Sequence, residues 1–144
     1  MCIILDVHMV SRVLIDQDRQ LRHVTQAIYD GELAVMYGGR LTDEYERIHQ
    51  VIDVIVALDQ AGLAHRVASD AIESEVRKIS HKCRSNDEHI VGLARVSGAR
   101  LLCTEDQDLQ TDFRSKELIN NPRGKIFKRP SHRHLVREAC ESCL

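Results

Sequence analysis

Carboxylates that directly follow short apolar runs are the residues of this sequence best suited to chemistry. Cys2-Ile3-Ile4-Leu5 ends in Asp6, and Leu101-Leu102-Cys103-Thr104 ends in Glu105 and Asp106, with Asp108 close behind. More acids open predicted helices: Asp43 and Glu44 after Gly38-Gly39-Arg40-Leu41-Thr42, and Asp87 and Glu88 after Ser85. If the apolar runs are parallel strands, each following helix starts at a strand's carboxyl end, so all these acids belong to one edge of the sheet. Ligands bind outside that edge in open parallel sheets, where the strand order reverses. Acids in a first helical turn also favour the positive end of the macrodipole with no ligand present, and Asp43 and Glu88 are read that way. Three or four converging carboxylates repel one another, which raises their pKa values unless a cation neutralises the group. Oxygen donors without accompanying His or Cys suit Mg²⁺ or Mn²⁺. Such an ion makes a nucleophile of a bound water, and a second stabilises the leaving oxygen of a phosphodiester. Hydrolysis of nucleic acid is the chemistry implied.

The elements that must position these acids alternate along the chain. Cys2–Leu5 and Leu101–Cys103 are continuously apolar, as strands buried on both faces are, and residues 33–37, 64–68 and 124–128 are further predicted strands. Helices are expected over Met9–Leu14 and Asp18–Tyr29. A long one capped by Thr42 keeps Tyr45, Ile48, Val51, Ile52, Ile55, Val56 and Leu58 at helical spacing until Gly62. Ser69 or Asp70 caps another that runs to about Lys82. Ser85 and Glu88 form a capping box that opens a helix ended by Gly98. The pattern predicts an α/β protein, with a parallel sheet of about five strands between helical layers.

Composition removes several classes. The chain of 144 residues is 43% hydrophobic and 29% charged with only 7 Gly and 2 Pro, which suits one folded domain and excludes collagen-like or low-complexity sequence. Residues 1–130 are expected to form that domain, and 131–144 a basic, Cys-containing tail or short helix. Aromatics are 3%, with no Trp, too few for a platform that stacks bases on exposed rings. No apolar run approaches the roughly 18 residues of a membrane span, and Met1-Cys2-Ile3-Ile4-Leu5-Asp6 lacks the basic flank and apolar length of a signal peptide, so a cytoplasmic address is expected. Five scattered cysteines, an odd number, argue for reduced thiols.

Four segments together resemble the PIN-domain nucleases, the family that includes the VapC-type toxins. They are Ile3-Ile4-Leu5-Asp6-Val7-His8; Gly38-Gly39-Arg40-Leu41-Thr42-Asp43-Glu44; Ser85-Asn86-Asp87-Glu88-His89-Ile90-Val91-Gly92-Leu93-Ala94 with Ser97-Gly98-Ala99; and Leu101-Leu102-Cys103-Thr104-Glu105-Asp106-Gln107-Asp108-Leu109. The resemblance implies a three-layer α/β/α sandwich and a Mg²⁺- or Mn²⁺-dependent endoribonuclease. By position it implies Asp6, Glu44, Asp87 and Asp106 as catalytic, metal-binding acids, Asp108 as a further ligand and Thr104 as a hydroxyl beside them. It also implies an RNA substrate, and extends to a toxin-antitoxin pair with a protein inhibitor and a homodimer. His8 departs from the family, which often has Asn, Ser or Thr there; as an accessory residue it would assist proton transfer or contact phosphate, and the competing reading, preferred here, is an ordinary partly buried histidine.

The charge changes sign near the end of the chain. Residues 1–122 hold 14 basic against 20 acidic side chains, whereas residues 123–144 hold 6 against 2. Arg123, Lys125, Lys128, Arg129, Arg133 and Arg137 suit either phosphate tracking or a solvated face. Lys125, Lys128, Arg129 and Arg133, with Arg40, are the candidate contacts to nucleic acid. His132, His134, Cys140 and Cys143 could in principle bind zinc, but their spacing is compressed. Two other functions compete: a PIN-like module that binds RNA or protein without cutting it, and a receiver-type phosphoacceptor domain, which would need Lys125 or Lys128 beside the acids.

Overall fold

The structure is a computed structural model and describes residues 1–138. Its strands are β1 (Cys2–Leu5), β2 (Ala34–Gly38), β3 (Ala64–Val67), β4 (Leu101–Cys103) and β5 (Lys125–Phe127), each within a residue of expectation. They form one all-parallel sheet in the order β3-β2-β1-β4-β5. Eight helices among the described residues flank it: α1 (Val7–Leu14), α2 (Arg22–Tyr29), α3 (Arg40–Glu46), α4 (Val51–Gln60), α5 (Ser69–Ile79), α6 (Glu88–Ser97), α7 (Gln107–Arg114) and α8 (His134–Glu138). The arrangement is the expected three-layer α/β/α sandwich. Every residue of β1 and β4 is buried, as coverage on both sheet faces requires.

The strand order fixes where a site can form. From β1 the sheet grows to β2 and β3 on one side and to β4 and β5 on the other, so the crevice lies between the carboxyl ends of β1 and β4. Leu5 pairs with Cys103, and the Asp6 N–H extends the ladder by donating to the Cys103 carbonyl at 3.0 Å. Receiver-type domains order their strands 2-1-3-4-5, so this sheet is not a receiver and that alternative falls.

Four local expectations are corrected. The long helix after Gly39 is two helices, α3 and α4. The Arg47 and Ile48 amides bond three residues back, and Gln50 turns the chain with φ 69°. Both helices bury the same side, with Tyr45, Val51, Ile55 and Leu58 inside, so the spacing concealed the break. Thr42 is not a cap: it lies buried within α3, its Oγ1 has no hydrogen-bond partner, and Gly39 precedes the helix. Ala68, not Ser69 or Asp70, precedes α5, and its side chain makes no capping bond. The unanticipated α7 is capped by Asp106, whose Oδ1 accepts from the Leu109 N–H at 3.0 Å.

Two glycines allow close approach between neighbouring elements, one between strands and one between helices. Gly38 has φ 147°, and a Cβ there would stand 2.4 Å from the Val67 carbonyl oxygen of β3. At Gly92 in α6 a Cβ would meet a Val76 methyl of α5 at 2.8 Å. Among the described residues, Cys83 and Cys103 carry free thiols. Burial pushes the Cys103 thiol up to about 12, so it stays protonated and unreactive at neutral pH. After residue 130 the described chain forms the short helix α8, whose Val136 is buried in the common core. No helix of the described residues is long and apolar enough to cross a membrane.

Gly38→Ala is expected to destabilise the protein by roughly 1–3 kcal/mol, since the added methyl meets backbone rather than a yielding side chain. Urea unfolding monitored by circular dichroism checks this, and an unchanged midpoint would show the β2–α3 turn to be looser than described.

Candidate functional site

Asp6 ends β1 and is 4% exposed. Its Oδ1 accepts the Val7 N–H at 2.7 Å, and its Oδ2 accepts the Thr104 hydroxyl at 2.7 Å. The Thr104 Oγ1 also accepts the Asp106 N–H at 3.1 Å, so one buried hydroxyl ties together the acids that end β1 and β4. The Gln110 side-chain amide holds the Thr104 carbonyl at 3.1 Å. Glu105 turns to Arg12, at 2.7 Å, and Arg12 also binds Asp18 at 2.9 Å. That pairing takes Glu105 out of the candidate set.

The other two predicted acids reach the crevice by different routes. Glu44 lies on α3, which is anchored where the buried Tyr45 hydroxyl donates to the Leu5 carbonyl, one residue before Asp6. Asp87 immediately precedes α6, in a loop held from below. The Asp112 carboxylate of α7, 2% exposed, accepts the backbone N–H groups of Arg84 at 2.9 Å and Ser85 at 2.9 Å. The expected capping box does not form, because Asp112 fixes the loop and the Ser85 hydroxyl accepts from the Asp87 N–H at 3.2 Å.

Asp6, Glu44 and Asp106 all lie near enough to Asp87 to act on its carboxyl. Burial is the first cause that holds the Asp87 carboxyl above the usual range; His89 opposes it, and Asp6, Glu44 and Asp106 each push it further up. The Tyr45 hydroxyl is raised by burial first and then by Asp6 and Glu44. Asp108 is exposed in the first turn of α7, outside this group, and there it serves the helix macrodipole.

His89 was missed by the sequence reading. It is buried on α6, and its Nε2 lies 2.6 Å from the Oε1 of Glu44. Despite that distance, neither ring nitrogen nor the Glu44 Oε1 has a hydrogen-bond partner, so the contact lacks a properly directed N–H. One donor atom each from Glu44, Asp87 and His89 all lie within 4.8 Å of one another, and the three could hold a metal ion. Buried polar atoms left without partners are costly, and a cation bound between them removes the cost. A signal was present: His89, Leu93 and Ser97 recur every fourth residue along the buried stripe of α6.

The proposed nucleic-acid contacts do not form one patch. Arg40 is exposed at the start of α3 and borders the same pocket as His89. Lys128 follows β5 at the carboxyl edge, its Nζ 3.5 Å from the Gln110 side chain, and the exposed Arg129 comes next. Lys125 begins β5, at the opposite edge of the sheet. Arg133 lies beside His23, Asp30 and Glu32 around α2. His8 is exposed on α1, which corrects the expectation of partial burial. His132 packs edge-on against Phe127, and its Nδ1 accepts the Lys128 N–H at 3.3 Å. His134 is exposed, and Cys140 and Cys143 lie outside the described residues, as does the side chain of Arg137.

Fold and site together define an α/β sandwich with an acidic crevice at its switch point. No protein-family model, curated protein or solved structure matches the chain.

The geometry of Asp87 and Asp112 generates two expectations. Because the Asp87 pKa is raised in the folded state, its protonated form supports folding below the unfolded value, and that support is lost as pH rises through the folded value. Asp87→Asn should therefore raise the Tm of the protein in EDTA at pH 7.5, and the gain should vanish below about pH 4, where the wild-type carboxyl is also neutral. Thermal melts at the two pH values test this; a lower Tm at pH 7.5 would contradict the crowding of the acids. Asp112→Ala strands two buried backbone donors and should cost on the order of 3 kcal/mol in urea unfolding, whereas a loss under 1 kcal/mol would mean that water replaces the carboxylate.

Proposed function

We propose that the protein is a divalent-metal-dependent endoribonuclease that hydrolyses RNA phosphodiester bonds. The observation that carries this reading is the group of Glu44, Asp87 and His89, whose donor atoms lie within 4.8 Å of one another at the sheet edge that also carries Asp6 and Asp106, with buried Glu44 and His89 atoms that make no hydrogen bond. Together with the PIN-domain resemblance of the four motif segments, it favours a phosphodiester as substrate. Charge that an acidic crevice cannot neutralise from within is matched by a cation between it and a phosphate.

Glu44 and Asp87 would hold the ion, with Asp6 and Asp106 completing its surroundings. A bound dication would neutralise the acids and make water a competent nucleophile at neutral pH. Thr104 keeps Asp6 in a single orientation through its 2.7 Å hydrogen bond, leaving no rotameric freedom to be lost when substrate arrives. Arg40 stands beside the site and Lys128 on the same sheet edge, where each would meet a phosphate and orient the strand. A toxin role, an inhibitory partner protein and a homodimer belong to the same reading, and a cytoplasmic address is the one expected of a chain whose opening residues lack the pattern of a signal peptide.

Asp6→Asn keeps the shape of the side chain and should remain folded, since its carbonyl still accepts the Val7 N–H and its amide can donate to Thr104. Incubated with total RNA and Mn²⁺, the wild-type protein should cleave and EDTA should stop it. The variant should lose activity by on the order of 100-fold or more while its circular dichroism is unchanged. RNA binding without metal-dependent cleavage would favour the non-cutting module instead.

A further inference from the structure

The sequence suggested an all-oxygen site, and the structure places an imidazole in it. His89 is 6% exposed, carries two ring nitrogens without a hydrogen-bond partner, and directs Nε2 to within 2.6 Å of a Glu44 oxygen that also lacks one. One of those nitrogens carries a hydrogen in the neutral ring, so in either tautomer a buried donor is left unused. His89 and Glu44 stand at ion-pair distance, yet no hydrogen bond is formed between them. Adjacent ligands about 2.1 Å from one ion stand about 3 Å apart, so the 2.6 Å pair needs to open by only a few tenths of an ångström to hold a cation between them. The Asp87 carboxylate completes the set within 4.8 Å. His89 also borders a pocket of about 320 Å³ shared with Arg40, Ser69 and Glu88.

We propose that His89 is a nitrogen ligand of the crevice's cation, so that the site is a mixed Glu44–Asp87–His89 centre that prefers a first-row transition dication to Mg²⁺. The proposal rests on the metal-site half of the proposed function, not on the nuclease activity. Imidazole is a poor partner for Mg²⁺, which keeps oxygen donors and water, whereas Mn²⁺ and the ions after it in the series accept nitrogen increasingly well.

The test uses the untagged full chain and Mn²⁺ alone. Electron spin-echo envelope modulation of bound Mn²⁺ should show coupling to ¹⁴N in the wild-type protein. The signal should survive in His8→Gln, which changes the exposed histidine next to Asp6, and disappear in His89→Gln. Calorimetric titration should give Mn²⁺ a preference over Mg²⁺ of at least about tenfold, and His89→Gln should remove most of it. Absence of nitrogen coupling in the wild type overturns the proposal without any variant, as does coupling that persists in His89→Gln. Failure to bind Mn²⁺ at all overturns both this proposal and the metal-site reading. RNA cleavage without nitrogen coupling removes only the His89 assignment, whereas coupling without cleavage removes only the nuclease.

Discussion

Like charges gathered at one edge of the sheet are the constraint on which the structure turns. Asp6 and Asp106 are brought there by the pairing of β1 with β4, and Glu44 and Asp87 by the helices packed over it. Repulsion among carboxylates grows as water is excluded, so each needs a hydrogen bond or a positive partner to stay ionised. Most receive one: Asp6 has an amide and the Thr104 hydroxyl, Asp106 has the first turn of α7, and Glu105 has Arg12. The balance fails at Glu44, Asp87 and His89, the place where a cation has something to do.

What holds that place open is ordinary fold chemistry. Tyr45 ties α3 to the end of β1, Asp112 ties the loop before α6 to α7, and Thr104 ties the two central strand ends together. None of the three bonds depends on a ligand. The crevice is therefore built before anything binds, and binding need not order the chain. Gly38 and Gly92 contribute differently, by lacking the side chain that would push the surrounding elements apart.

The basic residues show how charge along a chain differs from charge in space. The last 22 residues are net positive, yet Lys125 and Lys128 bracket β5 and so occupy opposite edges of the sheet, while Arg133 faces the acids of α2. Of the five candidate contacts, Arg40, Lys128 and Arg129 are left on the crevice's side. A phosphate strand approaching the crevice would meet a few separated cations, which suits guiding a backbone more than gripping a long duplex.

The sequence by itself determined β1, β2 and β4, because two-face burial leaves unbroken apolar runs, and it put Asp6, Asp43, Glu44, Asp87, Glu88 and Asp106 at one sheet edge, because acids directly after strands or at helix starts share that edge whatever the strand order; the resemblance chose Glu44 and Asp87 among them. It could not determine the order that makes β1 and β4 neighbours, since parallel pairing joins residues about a hundred positions apart. The break between α3 and α4 was hidden because both halves bury the same stripe, and α7 because its start coincided with an acid read only as a ligand. His89 and Asp112 needed the tertiary structure most. Each is a polar residue on an apolar face, and whether such a residue is a satisfied core group, an anchor or a ligand depends on atoms that other parts of the chain bring to it.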